Sequence, residues 1–268
     1  MLYIRQRQTG VVLAEIPGPS LAGADLQGRV LCGADLRGAD LRGANLRGAD
    51  LCNADLTGAH LAGADLSHVV GTNMDCAGAD LEGATLSDAM LIASRFDGTN
   101  LRGADLLRAS LMWVTLKEAN LAEARLGRVD FTLAVLTAAN LCGADCSQAI
   151  FASALLRGAS LRGAELVSAN FWQADLRQAD LRDASLQQTL FARAQLQGTV
   201  MAGAIFNGTV LVRCDSLAEA HGLAEAVHRG ESSLDQQTLR TAAARLPPAC
   251  LEGVGETSAA GRVMGAGA

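Results

Sequence analysis

The chain has 268 residues, a net charge of −6 and a pI near 5.2, which disfavours binding to nucleic-acid phosphates. Half of its residues are hydrophobic but only 3% are aromatic, which excludes a thick core built on large rings. No apolar run reaches the ~18–20 residues of a membrane span, and the first residues lack a secretory pattern. Seven cysteines without paired metal spacing suggest reduced thiols, so we expect a cytoplasmic location.

The first 19 residues predict a β-hairpin. The stretch "YIRQRQTGVVLAEI" contains two strand-like segments joined at Thr9-Gly10, and "PGPS" ends the unit. Because the end of a stack of repeats needs a cover, we interpret residues 1–19 as an N-terminal cap.

From residue 20 to residue 215 a large apolar residue returns at every fifth position. Of the 39 positions from Leu21 to Leu211, 29 are Leu and six are Phe, and 18 of the positions two residues later are Gly. Ala fills most of the positions two residues before each Leu, which places both side chains on one face of an extended segment. A helix is excluded because its period is 3.6 residues. The pattern therefore predicts short extended segments, bent at Gly, that wind into a stacked coil.

These residues resemble the pentapeptide-repeat family, whose A-[D/N]-L-x-x consensus is matched by "ADLRG", "ANLRG", "ADLTG" and "ADLEG". The resemblance covers residues 20–215. It implies an all-β fold, a right-handed quadrilateral parallel β-helix with four pentapeptides in each coil. The 39 units would form about ten coils and a rod ~45–50 Å long at ~4.8 Å per rung.

One stretch, "HLAGADLSHVVGTNMDCAG", breaks the repeat. Val69 and Met74 take Ala positions and Gly71 takes a Leu position, yet the period resumes without a slip. Two interpretations stay open: an underpacked coil, or an exposed loop over residues 68–76 that touches a partner.

After residue 215 the pattern changes. Residues 216–250 predict two short helices, the second with Ser233 and Gln236 as a capping box and Pro247 as its stop. This segment also resembles a junction module that follows repeats in some bacterial multidomain proteins, so it serves either as a cap or as a junction. The small polar residues of the tail, 251–268, predict disorder.

The chain shows no enzyme signature, and we expect no catalytic residue, cofactor or metal. The histidines lack a nucleophile motif, and the neighbours His60, Asp65, His68 and Asp75 fall on different sides or rungs of the coil. Cys32 and Cys52, 20 residues apart, should stack on adjacent rungs of one side.

Since a coil has 20 residues, the register assigns every outward residue to one of four sides. We name them by their first centres: first side Leu21, second side Leu26, third side Leu31 and fourth side Leu36. The first, second and fourth sides are charged, and a candidate acidic track includes Asp35, Asp55 and Asp75 on the fourth side and Asp25 and Asp65 on the second.

The third side is apolar and includes both Trp residues of the chain. Such residues are typical of interface cores, so we interpret the third side as a partner-binding or self-association face. The alternative is that a C-terminal segment folds back over it. The candidate binding residues are Met90, Ile92, Met112, Trp113, Leu133, Ile150, Trp172 and Leu190, within a strip that also includes Val30, Val70, Val210 and Val212.

Two functions follow from these surfaces. The favoured one is a non-catalytic scaffold that binds a protein partner, or a second copy in a homodimer, without contact to nucleic acid or membrane. The alternative is a DNA-mimicking modulator of DNA gyrase that protects against quinolones or toxins, as the family resemblance implies. Residues 20–100 contain 11 acidic and 5 basic residues but residues 101–215 contain 10 and 11, so only the N-terminal half could imitate a phosphate track.

Overall fold

The fold is a parallel β-helix with 20 residues in each coil. The computed structural model describes residues 1–230, 232–242, 254–257 and 263–264. Parallel bridges join residues 20 positions apart along the repeats, as in Asp50 to Val70 and Val70 to Met90. Leu51 donates its N–H to the carbonyl of Val70 at 2.7 Å, and the N–H of Val70 bonds the carbonyl of Ala49 at 3.1 Å. Most extended segments are single bridges rather than continuous strands.

A turn ends every side of the coil and explains the period of five. At residues 51–54 the N–H of Ala54 bonds the carbonyl of Leu51 at 3.0 Å, and Asn53 has a φ of 57°. A positive φ at the third of four residues is the type II turn, which favours Gly or Asn there. Three residues are extended and two turn, so five residues complete each side.

The interior consists of columns of small and large apolar side chains, each stacked on the residue 20 positions away. The Leu and Ala positions of the repeat are almost completely buried. Four Phe residues of the third side form one column, with ring centroids 4.7–5.1 Å apart and planes within 11° of parallel; they are Phe131, Phe151, Phe171 and Phe191. The rung spacing of ~4.8 Å sets this ring separation, so residues 20 apart are packed as a unit.

The irregular stretch at residues 68–76 keeps the regular coil. Val70 and Asp75 make the usual parallel bridges, so the interpretation as an exposed loop is wrong. Underpacking is wrong too, because a Cβ added to Gly71 would lie 3.0 Å from Leu91 and 3.3 Å from Met74. The Met74 side chain, buried in an Ala position, fills the volume that the missing Leu leaves.

The N-terminal hairpin lies across the first coil. Strand β1 (Leu2–Arg5) pairs antiparallel with β2 (Val12–Ile16), and Gln6 bridges to Ala34. Asp35 donates its N–H to the carbonyl of Arg5 at 2.8 Å. The hairpin therefore covers the backbone edge of the first coil where the third side meets the fourth.

At the other end the stack continues past residue 215. The spacing of paired residues grows by one at each of three successive sides, from Val200–His221 to Ile205–Val227 and Val210–Ser233. The strands here are β3 (Leu190–Ala192), β4 (Ile205–Phe206), β5 (Val210–Val212), β6 (Val227–His228), β7 (Ser232–Leu234), β8 (Val254–Thr257) and β9 (Val263–Met264). One sheet has the order β3, β5, β7, β8 and β9, with only the last pair antiparallel, and β4 pairs with β6.

The prediction of two C-terminal helices is half wrong. The first is only a 3₁₀ turn (Leu217–Glu219), because the chain then rejoins the stack at β6. The second is α1 (Gln236–Ala242).

The predicted capping box of α1 is also wrong. Ser233 lies in β7, and Asp235 caps the helix instead by accepting the N–H of Thr238 at 3.0 Å. Pro247 lies outside the described residues, and β8 and β9 replace disorder in part of the tail. No helix within the described residues is long and apolar enough to cross a bilayer.

The exchange of volume between residues 71 and 74 can be tested by a double-mutant cycle. Gly71→Leu should lower the free energy of unfolding by about 1–3 kcal/mol through overpacking, and Met74→Ala by about 2–4 kcal/mol through a cavity. The double variant restores the regular repeat, so it should lose less than either single variant. Denaturant unfolding measures all four proteins, and additive losses would contradict this packing.

Candidate interaction surface

The third side presents a long strip of exposed side chains that are mostly apolar. Bridges stack Val70, Met90, Ser110, Asp130 and Ile150 in this order, and the same column continues to Val210. Six residues of the strip have exposed fractions between about two fifths and two thirds: Val30 65%, Trp113 55%, Met90 47%, Leu133 46%, Trp172 42% and Ile150 38%. The half-buried members are Ile92, Met112, Leu190, Val210 and Val212, and Val70 is 36% exposed.

The strip carries almost no charge. Among the outward residues of the third side and its following turn, from Asn53 to Ala192, only Asp130 is charged. Its carboxylate accepts the backbone N–H of Thr132 at 2.9 Å and also the Thr132 hydroxyl. A partner would therefore meet an apolar surface about seven rungs long with one carboxylate at its middle.

The turns that flank the third side differ from the other two. We name the turns after the second and third sides the second and third corners. Among the residues that the structure describes, 21 other than Gly have a positive φ, and 16 of them lie at these two corners. The turns after the first and fourth sides use Gly at most positions.

This difference has an energetic cost. A residue with a Cβ in the left-handed region costs roughly 1–2 kcal/mol compared with one in its ordinary conformation, whereas Gly does not. Trp113 has a φ of 58° and Leu133 a φ of 60°, and both side chains are about half exposed. Large side chains are thus held in strained backbone without full burial, on the side that is apolar.

One exposed apolar residue beside the strip was missed by the sequence analysis. Leu155 is 45% exposed on the fourth side, next to the third corner. Sorting the turn positions by 20-residue register would also have shown the absence of Gly at the third corner, since only Gly33 breaks that pattern.

On the fourth side, the acidic residues of the candidate track form ion pairs with Arg side chains. Asp55 is 4% exposed and its carboxylate lies 2.7 Å from the guanidinium of Arg7. Arg37 binds Asp35 at 2.7 Å, and its hydrogen bond lowers the pKa of the Asp35 carboxyl. Arg95 lies 3.3 Å from Asp75. Each of the three acidic residues of the track on the fourth side is therefore paired with an Arg side chain.

The two remaining members of the track lie on the second side. Asp25 accepts the side-chain amide of Asn45 at 2.9 Å, and Asp65 accepts the hydroxyl of Ser67 at 2.6 Å. These two carboxylates are two rungs apart, with Asn45 between them. The structure therefore does not bring the five acidic residues together as one uninterrupted track.

Three of the thiols that the structure describes are buried and unreactive. Burial raises the pKa of Cys76 and Cys146, and that of Cys214 to about 12, so these thiols are neutral small apolar groups. Cys32 and Cys52 are half-buried and stack on adjacent rungs, with the N–H of Gly33 bonded to the carbonyl of Cys52 at 2.7 Å. Within the described ranges, no three His, Cys, Asp or Glu side chains could together hold a metal ion.

Comparison with known proteins identifies the repeat. A family model for pentapeptide repeats matches eight overlapping copies that together span residues 20–215. The chain belongs to the pentapeptide-repeat family. This confirms the resemblance read from the five-residue motifs.

The solved structure of one pentapeptide-repeat protein, HetL, shares the fold. HetL, from the cyanobacterium Nostoc sp. strain PCC 7120, is 33% identical with a TM-score of 0.69, and the match covers 77% of this chain and 90% of HetL. A trypsin-treated variant of QnrB1, a plasmid-mediated fluoroquinolone resistance protein, is 16% identical with a TM-score of 0.44, covering 70% of this chain and 92% of QnrB1. No curated protein sequence matches significantly.

The cost of the corner side chains can be measured with a matched pair of variants. Ala93→Gly, at the third corner, should raise the free energy of unfolding by about 0.5–1 kcal/mol, since Ala93 has a φ of 56°. Gly103→Ala, at the turn after the first side, should lower it by about 1 kcal/mol, because an added Cβ meets open space and only backbone strain remains. Denaturant unfolding compares the two, and destabilisation by Ala93→Gly would contradict the assignment of strain.

An ion pair of the fourth side gives a pH-dependent test. Arg177 binds the nearly buried Asp175 at 2.6 Å, and this hydrogen bond lowers the pKa of Asp175. Arg177→Gln should lower the free energy of unfolding by about 1–2 kcal/mol at neutral pH. Because the pKa of Asp175 is lower in the folded state, the ion pair stabilises the fold fully at pH values above the unfolded pKa of about 3.9. This stabilisation is lost as the pH falls through the folded pKa. The difference in free energy of unfolding between the wild type and Arg177→Gln should therefore become smaller as the pH is lowered. A difference that stays constant at every acid pH would exclude the ion pair as its source.

Proposed function

We propose that the chain is a non-catalytic scaffold, a right-handed quadrilateral rod that binds a protein through its third side and the two corners beside it. The observation that carries the proposal is the coincidence of two features on one side. The strip is apolar and nearly uncharged, and the strained corner residues concentrate along its edges. Exposed apolar strips are typical of binding surfaces, and so is backbone strain at residues whose side chains are not fully buried.

The surface has the anatomy of an interface. Its centre is apolar, and the second corner forms a polar rim with Asp88 bound to Arg108 at 2.6 Å and Arg128 bound to Gln148 at 3.0 Å. Interfaces combine an apolar core with such a rim. Trp and Met are enriched in interface cores, and the strip contains both.

The relatives support a protein-binding role in a general way. HetL is described as involved in the regulation of heterocyst differentiation, and its match covers most of both chains. A regulatory scaffold needs a rigid surface rather than a reaction centre. We propose such a role here without assigning the process in which HetL acts.

DNA mimicry has weaker support. A DNA mimic needs uncompensated negative charge along a rod. On the fourth side that charge is compensated by Arg7, Arg37 and Arg95, and on the second side Asn45 separates the remaining carboxylates. The scaffold therefore remains the favoured function.

The test is a comparison of three proteins as bait. Trp172→Arg places a charge within the strip, and Ala62→Arg places the same charge at the matching position of the opposite, first side. A partner captured by the wild-type chain should bind the Ala62→Arg variant equally. After reconstitution from purified components, its affinity for Trp172→Arg should fall at least about tenfold, as expected when an interface loses a Trp side chain.

Two outcomes would overturn the proposal. The first is equal partner binding by all three proteins while circular dichroism shows that all are folded. The second is inhibition of DNA gyrase supercoiling by all three alike, which would favour mimicry by the rod as a whole.

A further inference from the structure

We propose that the third side binds a second copy of this chain, with the two rods antiparallel and their third sides face to face. The proposal rests on the proposed function, because it names the occupant of the same surface. It goes further in fixing the orientation and the register of the pair. A twofold interface must be self-complementary, since one patch meets itself.

The symmetry restricts the arrangement. Two flat faces that pack by a twofold axis lying across the rods keep the order of residues around the coil and reverse the order of the rungs. We place the axis between the rung of Thr132 and the rung of Ala152, at the middle of the strip. Each rung then faces the rung that is equally far from the axis on the other side.

This register pairs apolar residues with apolar residues at several rungs of the strip, whereas Trp113 faces Gln173 and Ser110 faces Asn170. Met112 faces Trp172 of the second copy, and the reciprocal contact occurs across the axis. Leu133 faces the small Ser153 in the same way, so a large side chain at the third corner meets a small one. The remaining apolar pairs across the interface are Val70 with Val210, Met90 with Leu190 and Ile92 with Ala192.

Charged residues at the rims meet uncharged ones. At the second corner Arg108 faces Ser168, and Arg128 faces Gln148, which already accepts a hydrogen bond from Arg128 within one chain. At the third corner Arg193 faces Ala93 and Arg213 faces Asn73. No like charges are directly opposed, so the register avoids the repulsion that rejects wrong pairings.

The area suits a weak dimer. The strip from Val70 to Val210 spans seven rung steps, about 34 Å at ~4.8 Å each. With a width of about 10 Å and the relief of its side chains, it would bury on the order of 1,000 Å² in both copies together, the lower limit of specific interfaces. We therefore expect association at micromolar concentrations.

A substitution at Asp130 distinguishes a second copy of the chain from a different protein partner. Asp130 is the only charged residue among the positions directly before and after each third-side centre between Val70 and Val210, lies beside the axis and faces Ile150 of the second copy. In the dimer its carboxylate gains no cationic partner and loses water, so Asp130→Asn should strengthen association. A different protein partner that placed a basic residue opposite Asp130 would instead bind that variant more weakly.

The experiment is sedimentation velocity of the full chain from about 1 to about 100 μM, a range chosen for a micromolar dimer. The wild type and the Ala62→Arg control should shift from monomer to dimer mass. Trp172→Arg should raise the dimer Kd at least about tenfold, and Asp130→Asn should lower it about threefold or more. Circular dichroism verifies that each variant keeps the β-helix.

The orientation is tested by a photocrosslinker. Benzoylphenylalanine at position 172 should crosslink to the peptide that contains Met112 of the second copy. Crosslinks to the peptide around position 172 would show parallel rods and overturn the antiparallel arrangement.

Other outcomes overturn the dimer without touching the proposed function. A chain that stays monomeric over the whole range excludes the second copy, as does a dimer that Trp172→Arg leaves unchanged. In either case the scaffold proposal stands if a captured partner still loses affinity for Trp172→Arg, and it fails if that partner does not.

Discussion

The whole molecule depends on one constraint, the stacking of residue i on residue i+20 at the spacing of hydrogen-bonded strands. Because this spacing is about 4.8 Å, every side chain has a neighbour of the same column directly above and below it. A substitution is therefore judged by its column. The Phe column of the third side shows this, since its ring separations of 4.7–5.1 Å equal the rung spacing.

The same constraint explains how an irregular coil is tolerated. The turns fix the backbone path, so volume has to be exchanged between side chains within a coil rather than by a bulge. Gly71 and Met74 make such an exchange, and the bridges on either side keep their register. The end of the repeat differs, because the spacing grows from 20 to 23 residues and the chain forms longer strands there.

The four sides share one backbone but differ in what their corners require. Gly at the corners around the first side avoids backbone strain. The second and third corners instead have 16 described residues other than Gly with a positive φ, and these residues are strained. A uniform rod would gain stability from Gly at every corner. The retained side chains border the apolar third side, so backbone strain and apolar surface coincide in one region of the molecule.

The sequence by itself determined the five-residue repeat, because a strict period of five places Leu and Ala on one face of short extended segments. The A-[D/N]-L-x-x motifs determined the family, and four units per coil followed from that resemblance alone until the bridges between residues 20 apart showed it. Only the tertiary structure decided the pairing of Asp55 with Arg7, since these residues are 48 positions apart and meet through the hairpin that covers the first coil. It also decided the C-terminal strands, where stacking on the last coils overrides a local preference for helix.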